Sequence, residues 1–153
     1  MSIDQKFSEL GIELPPAPQA AGLYKTVFVS GNLATLSGHL PIRPDGTMIT
    51  GQVGVELSVD VASQAARMVG LNMLASLRAE IDGLDKIERV CKVLGMVNAG
   101  AGFDQHPAVI NGCSQLFLDV FGQDKGVGTR SAFGVSGLPG NAAVEIEGVF
   151  ILK

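Results

Sequence analysis

Three charged residues near the end of the chain have the types and the spacing that could support chemistry. Arg130 lies in one strand-like run, and Glu145 and Glu147 lie two residues apart in the next run. Because side chains alternate along a strand, both glutamates are expected to point to the same face. An arginine and two carboxylates in one neighbourhood can neutralise one another or hold a charged ligand, and both interpretations stay open at this point.

The two runs that carry these charges are predicted to form a β-hairpin. Residues 129–135 and 142–152 have strand length and many β-branched or aromatic side chains. The segment between them is rich in turn-forming residues, which are Gly137, Pro139, Gly140 and Asn141. An exposed cross-strand ion pair in such a hairpin contributes roughly 0 to 1 kcal/mol to stability. The charges therefore gain importance only if neighbouring chains bury them.

A long helix and a long strand precede this segment and must support it. Apolar residues recur at helical spacing from about Val59 to Ile81, with Ser58 or Asp60 as the N-terminal cap and Gly83 as the stop. The segment from Ile87 to Asn98 is apolar enough to be a central strand. A glycine-rich loop follows that strand.

Shorter elements complete the prediction. They are an N-terminal amphipathic helix ending at Gly11, a hairpin of Tyr24–Val29 and Leu33–Leu36 around Ser30-Gly31-Asn32, a short strand at Thr47–Ile49, and a second long helix at Ala108–Phe121 with Pro107 at its first position. The predicted order is β-β-(β)-α-β-α-β-β, an α+β fold with two helices on one face of a mixed sheet. Residues 1–153 are predicted to be one domain, with residues 1–20 as an N-terminal extension. The other face of the sheet needs a cover, and we expect another subunit to supply it.

Composition and charge exclude several functions. The net charge is −4, no basic cluster is present, and one tyrosine and no tryptophan are available to stack on bases, so a nucleic-acid partner is not expected. No signal peptide and no apolar run of about 18 residues are visible, which predicts a cytoplasmic protein without a membrane anchor. Cys91 and Cys113 are predicted to be unbridged, and with His39 and His106 they offer no metal-binding spacing.

Five short motifs resemble those of one known family. They are Gly22-Leu23-Tyr24, Leu36-Ser37-Gly38-His39-Leu40-Pro41, Ala108-Val109-Ile110-Asn111, Gly128-Thr129-Arg130-Ser131 and Val144-Glu145-Ile146-Glu147. In this order and spacing the chain resembles RidA/YjgF proteins, the reactive intermediate imine deaminases, which older naming called L-PSP endoribonucleases. The resemblance implies a chorismate-mutase-like fold of the bacillus type, a homotrimer whose sheets form a central barrel, and active sites in the clefts between subunits.

The resemblance also implies roles for individual residues. Arg130 matches the arginine that grips the substrate carboxylate, and Glu145 matches the glutamate near which a water is deprotonated for attack on an imine carbon. The remaining substrate-binding positions are Tyr24 in the pocket wall, Gly38 where backbone approaches the ligand, Asn111 near the arginine, and Ser131 and Ala132 directly after it. Glu147 is interpreted as a structural charge. No cofactor and no metal are implied.

Two departures keep a second function open. Ala132 stands where the family deaminases usually carry a cysteine, and Lys25 and Thr26 follow the tyrosine where serine and glutamine are usual. The first hypothesis is a hydrolase that converts small imino or enamine acids to a 2-keto acid and ammonia. The alternative is a catalytically silent trimer that binds small carboxylate metabolites with a regulatory or chaperone role. An endoribonuclease activity follows from the family's older name alone.

Overall fold

The computed structural model describes residues 1–153 without gaps. Its elements, in chain order, are α1 (Ile3–Leu10), β1 (Val27–Ser30), β2 (Leu33–His39), α2 (Val59–Ile81), β3 (Ile87–Asn98), α3 (His106–Gly126), β4 (Thr129–Val135) and β5 (Val144–Leu152), with 3-10 turns at Leu84–Lys86 and Pro139–Asn141. None of the helices combines the length and the apolar character that crossing a membrane requires.

Both central elements begin and end where the sequence predicts. The Ser58 hydroxyl accepts a hydrogen bond from the Val61 amide at 3.2 Å and so caps the start of α2. The helix ends at Ile81; Asp82 is its C-terminal cap, with a left-handed φ of 55°, and Gly83 follows with φ 120°. β3 has the predicted bounds, Ile87–Asn98.

Several other predicted elements differ from the observed ones. α3 starts at His106 and continues to Gly126, but Gly122 is non-helical inside it, with φ 82° and ψ 171°, directly after the predicted end. β1 begins at Val27 rather than at Tyr24. The predicted strand at Thr47–Ile49 is wrong, because only isolated bridges form there, Ile42 with Met48 and Thr50 with Ala142.

The predicted pairing of the last two strands is also wrong. The sheet order is β1-β2-β5-β3-β4, so β3 separates β4 from β5 and they form no hairpin. β4 runs parallel to β3, and β5 lies antiparallel between β2 and β3. The physical reason is that α3 connects β3 to β4 as a crossover, and such a connection returns the chain parallel to the strand it left.

The two long helices pack on one face of the sheet, as predicted. Along β3, Val93 and Val97 point into the core between sheet and helices, whereas Leu94 and Met96 alternate onto the other face and are only partly buried. We call that other side the open face. Its outer strands leave Phe28 54% and Phe133 42% exposed. In a single chain nothing covers this partly apolar surface.

Candidate functional site

Arg130 is held on the helix-covered side of an edge strand. It lies on β4 opposite Val93, and its Nη1 donates hydrogen bonds to Asn111 Oδ1 at 2.7 Å and to Ser114 Oγ at 3.2 Å. Asn111 and Ser114 are three residues apart on α3, so they share one side of that helix. The predicted proximity of Asn111 to the arginine is confirmed.

No carboxylate neutralises this guanidinium. The four ion pairs of the chain join other residues, and none includes Arg130. The arginine instead faces a cavity of about 220 Å³, which is lined by Val93, Asn111, Ser114, Phe117, Gly126, Val127, Gly128, Thr129 and Arg130. The interpretation of Arg130 as half of a cross-strand ion pair is therefore wrong, and its charge remains available to an acidic ligand.

Glu145 lies on the opposite side of the sheet. On β5 it pairs with Met96 and Glu147 pairs with Leu94, which places both glutamates on the open face. The prediction that the two glutamates share a face is confirmed. The expectation that Arg130 lies beside them is wrong within one chain, because the sheet itself separates Arg130 from Glu145.

Gly38 and Glu145 are in direct contact. The Glu145 carboxyl group lies across the α-carbon of Gly38, where any β-carbon would overlap with it. Burial raises the pKa of Glu145, and the nearby negative charge of Glu147 raises that pKa further. A carboxylate whose ionised form is disfavoured in this way accepts a proton more readily than an ordinary glutamate.

The side chains of the other predicted binding residues form no hydrogen bond with Arg130 or Glu145. Tyr24 is half exposed before β1, and its hydroxyl accepts a hydrogen bond from the Ala21 amide at 3.1 Å. Ser131 pairs with Leu94 on the open face. Ala132 pairs with Gly95 on the helix side and packs partly buried against the core.

Sequence reasoning missed Ser114 and His39. The signal for Ser114 was its spacing of three residues from Asn111 on a predicted helix that faces Arg130. His39 is 4% exposed, and its ring bonds to Ser37 and Ser76. Nothing in the sequence indicated the Ser76 contact, because it joins residues 37 positions apart.

The cysteines and histidines form no metal-binding cluster. No group of three or more His, Cys, Asp or Glu side chains is close enough together to hold an ion. Cys91 and Cys113 are both free thiols. Burial raises the pKa of Cys113 to about 12, so this thiol stays protonated and packs as an apolar group.

The structure combines a mixed sheet, two helices on one face of it and an open opposite face. An arginine without an ion-pair partner lies on an edge strand of that sheet. The family model described as "YjgF/chorismate_mutase-like, putative endoribonuclease" matches residues 4–147. This chain belongs to that family, which confirms the RidA/YjgF resemblance and the chorismate-mutase-like fold.

Individual relatives agree with this assignment. Protein TCP17 of Trypanosoma cruzi is 39% identical over 144 residues, covering 94% of this chain and 90% of that protein. A 2-iminobutanoate/2-iminopropanoate deaminase of Dermatophagoides farinae is 32% identical over 143 residues, covering 93% and 95%. The crystal structure of Atu1372 from Agrobacterium tumefaciens has a TM-score of 0.90 at 37% identity, covering 99% of this chain and 92% of that one.

Proposed function

We propose that this protein hydrolyses small 2-imino or enamine acids to the 2-keto acid and ammonia. The observation that carries the proposal is the environment of Arg130. Its guanidinium is oriented by two neutral acceptors, Asn111 and Ser114, has no acidic partner, and faces a cavity. A planar guanidinium prepared in this way suits bidentate binding of a carboxylate. The deaminase relative at 32% identity supports the same reaction class.

The complete site forms between two subunits in this proposal. Arg130 and Glu145 lie on opposite faces of one sheet, so one chain cannot present both to a small ligand. Arg130 occupies the edge strand β4, and the open face that carries Glu145 is uncovered in a single chain. Packing the edge of one subunit against the open face of the next in a closed ring brings the two residues together. A homotrimer with three equivalent sites is the arrangement we propose.

The chemistry follows from these two groups. Arg130 holds the substrate carboxylate, and Glu145 takes a proton from a water whose oxygen bonds to the imine carbon. The proton passes to the imine nitrogen and gives a carbinolamine. The remaining hydroxyl proton is then transferred to the same nitrogen, the carbon–nitrogen bond breaks, and ammonia leaves as the carbonyl forms. One water is consumed, no electrons are transferred, and no cofactor is needed. General base assistance of this kind contributes on the order of 100- to 10,000-fold to rate.

The pocket favours small acids. Its volume of about 220 Å³ is below the usual range for drug-sized ligands. Its walls near the arginine are neutral and polar, formed by Asn111, Ser114 and Thr129. These groups can accept or donate single hydrogen bonds, but they offer no second charge, so a short monocarboxylate fits best.

A silent carboxylate binder is the second candidate, and Ala132 favours it. Where the family deaminases usually have a thiol, this side chain is a methyl group packed against the core. Arg130 retains its carboxylate-binding environment in either case. The two candidate functions therefore predict different turnover but the same affinity for a carboxylate.

Generating 2-aminoacrylate in situ and following 2-keto acid formation, with and without the protein, tests the proposal. We expect wild type to accelerate keto acid formation over the spontaneous rate. Glu145→Gln should lose this acceleration because an amide cannot take a proton from water, whereas Glu147→Gln on the same face is the matched control and should keep it. No acceleration by wild type, with carboxylate binding intact, would establish the silent binder instead.

A further inference from the structure

A β-bulge in β2 sets the position of Gly38. Leu36 pairs with Gly148 and His39 pairs with Ile146, so two residues, Ser37 and Gly38, face the single residue between those partners. A bulge of this type bends the strand and turns side chains away from their regular direction. Gly38 comes to lie under the Glu145 carboxyl group as a result.

His39 connects this bulge to α2. Its Nδ1 donates to the Ser37 carbonyl at 2.6 Å, which fixes the tautomer because a carbonyl can only accept. Its Nε2 then accepts a hydrogen bond from the Ser76 hydroxyl at 2.9 Å. Ser76 is 3% exposed and lies in the last third of α2, so the bulge is tied to the core of the protein. Burial lowers the pKa of His39, and this keeps the ring neutral and Nε2 free to accept.

We propose that His39 is a positioning residue for Glu145. His39 holds the Ser37–Gly38 bulge against Ser76, and the bulge in turn keeps the Glu145 carboxyl group in place. This role rests on the proposed function for the catalytic action of Glu145, but not for the position of the Glu145 carboxyl group. Without the histidine, the Ser37 carbonyl and the buried Ser76 hydroxyl both lose a partner, and the bulge loses its connection to α2. Gly38 would then be free to shift, and Glu145 would lose the surface that shields it from water.

Two substitutions separate positioning from general packing. The Gln side chain has one amide donor and one carbonyl acceptor, so His39→Gln can bond to Ser37 and Ser76 as histidine does. His39→Leu keeps the apolar bulk and removes both bonds. Val69→Ala on α2 is the control, because it creates a cavity in the core without removing a polar contact.

The first measurement is the titration of the Glu145 carboxyl carbon by NMR, which needs no turnover. We expect its pKa to stay raised in wild type, His39→Gln and Val69→Ala, and to fall toward the ordinary glutamate value in His39→Leu. An unchanged Glu145 pKa in His39→Leu would overturn the proposal. If His39→Leu does not fold, Ser76→Ala removes one of the two bonds and should lower the same pKa in part; no change there would also overturn it.

The second measurement is turnover. His39→Leu should lower kcat on the order of 10- to 100-fold without weakening carboxylate binding at Arg130, because only the base is misplaced. His39→Gln should restore kcat, and a parallel loss in Val69→Ala would overturn positioning as the cause. Absence of turnover in wild type contradicts the proposed hydrolase alone, since the titration of Glu145 still decides the role of His39.

Discussion

Arg130 carries a full charge in a pocket where its hydrogen-bonding partners are neutral. A charge left unpaired in this way is costly if buried and useful if a ligand supplies the missing partner. The Asn111 and Ser114 contacts fix the guanidinium plane and leave further N–H groups for a carboxylate. Under the proposed function, the loss of Arg130 should therefore lower ligand affinity more than stability.

Arg130→Lys tests the importance of the planar guanidinium group of Arg130. Lysine keeps the charge but cannot donate two parallel hydrogen bonds, so we expect 2-keto acid binding to weaken by about 1.5 to 3 kcal/mol. That loss corresponds to roughly 10- to 100-fold in Kd. Calorimetric titration measures it. Arg89→Lys is the control, because Arg89 forms an exposed ion pair with Asp124 at 3.6 Å, and undiminished binding in Arg130→Lys would place the site elsewhere.

The raised pKa of Glu145 predicts the acid side of the pH–rate profile. The base form is active, so the rate should rise with pH through the pKa of Glu145, at higher pH than for an ordinary glutamate. Glu147→Gln removes the neighbouring negative charge and should move this limb to lower pH. Burial is the larger cause of the raised pKa of Glu145, and it persists in Glu147→Gln. The acid limb of this variant should therefore still lie at higher pH than for an ordinary glutamate. A limb that does not move on Glu147→Gln would contradict the electrostatic coupling.

At the scale of elements, the sequence was sufficient for what local periodicity determines. The apolar spacing of α2 and the dense apolar run of β3 gave their bounds, because one face of each element is buried in the core and the second face of β3 is partly buried. The pairing of the strands could not be predicted in the same way, because the same alternation of apolar residues is compatible with any neighbouring strand. The β3–α3–β4 crossover contained the missing information, and it predicts a parallel pair rather than a terminal hairpin.

The same distinction between local pattern and tertiary structure applies to the residues of the site. Asn111 near Arg130 and the shared face of Glu145 and Glu147 followed from motifs and from alternation. The separation of Arg130 from Glu145 depends on which strand lies between them, and it could not be read from spacing. The Ser76–His39 contact depends on how α2 crosses β2, which is likewise a tertiary property.

Gly112 gives an element-scale prediction about the contact of α2 with α3. Glycine to alanine inside a helix normally stabilises by about 1 kcal/mol. At Gly112, however, a β-carbon would overlap with the backbone carbonyl of Ser63, which cannot rotate away. We expect overpacking to outweigh propensity, for a net loss of about 1 to 2 kcal/mol in urea denaturation. Gly137→Ala has open space around its β-carbon and should stay within about 0.5 kcal/mol of wild type.

At the scale of the whole molecule, the open face is the surface that we propose to be covered by another subunit. Leu94, Met96 and Val149 are only partly buried there, and Phe28 and Phe133 are exposed at its two sides. A contiguous surface of this kind is a common mark of an interface between subunits. The low fraction of charged residues, 17%, agrees with a surface that is partly enclosed.

Sedimentation of wild type and of two matched variants tests the assembly. We expect wild type to sediment at three times the chain mass of 15.9 kDa. Phe133→Asp places a charge on the open face and should shift the species toward monomer. Val61→Asp alters a side chain of similar exposure, 40% against 42%, on the outer side of α2, and should remain trimeric. A stable wild-type monomer at micromolar concentration would contradict the proposed interface.

Mixing two inactive variants tests whether Arg130 of one subunit acts with Glu145 of the next. Arg130→Ala and Glu145→Gln each lack one half of every site and should be inactive alone. Unfolded together in equal amounts and refolded, they form mixed trimers in which about one quarter of the sites join an intact arginine to an intact glutamate. We expect recovery of about one quarter of wild-type imine hydrolysis. If both residues acted within one subunit, no mixed trimer would contain a complete site, and activity that stays at the level of the separate variants would contradict a site shared between subunits.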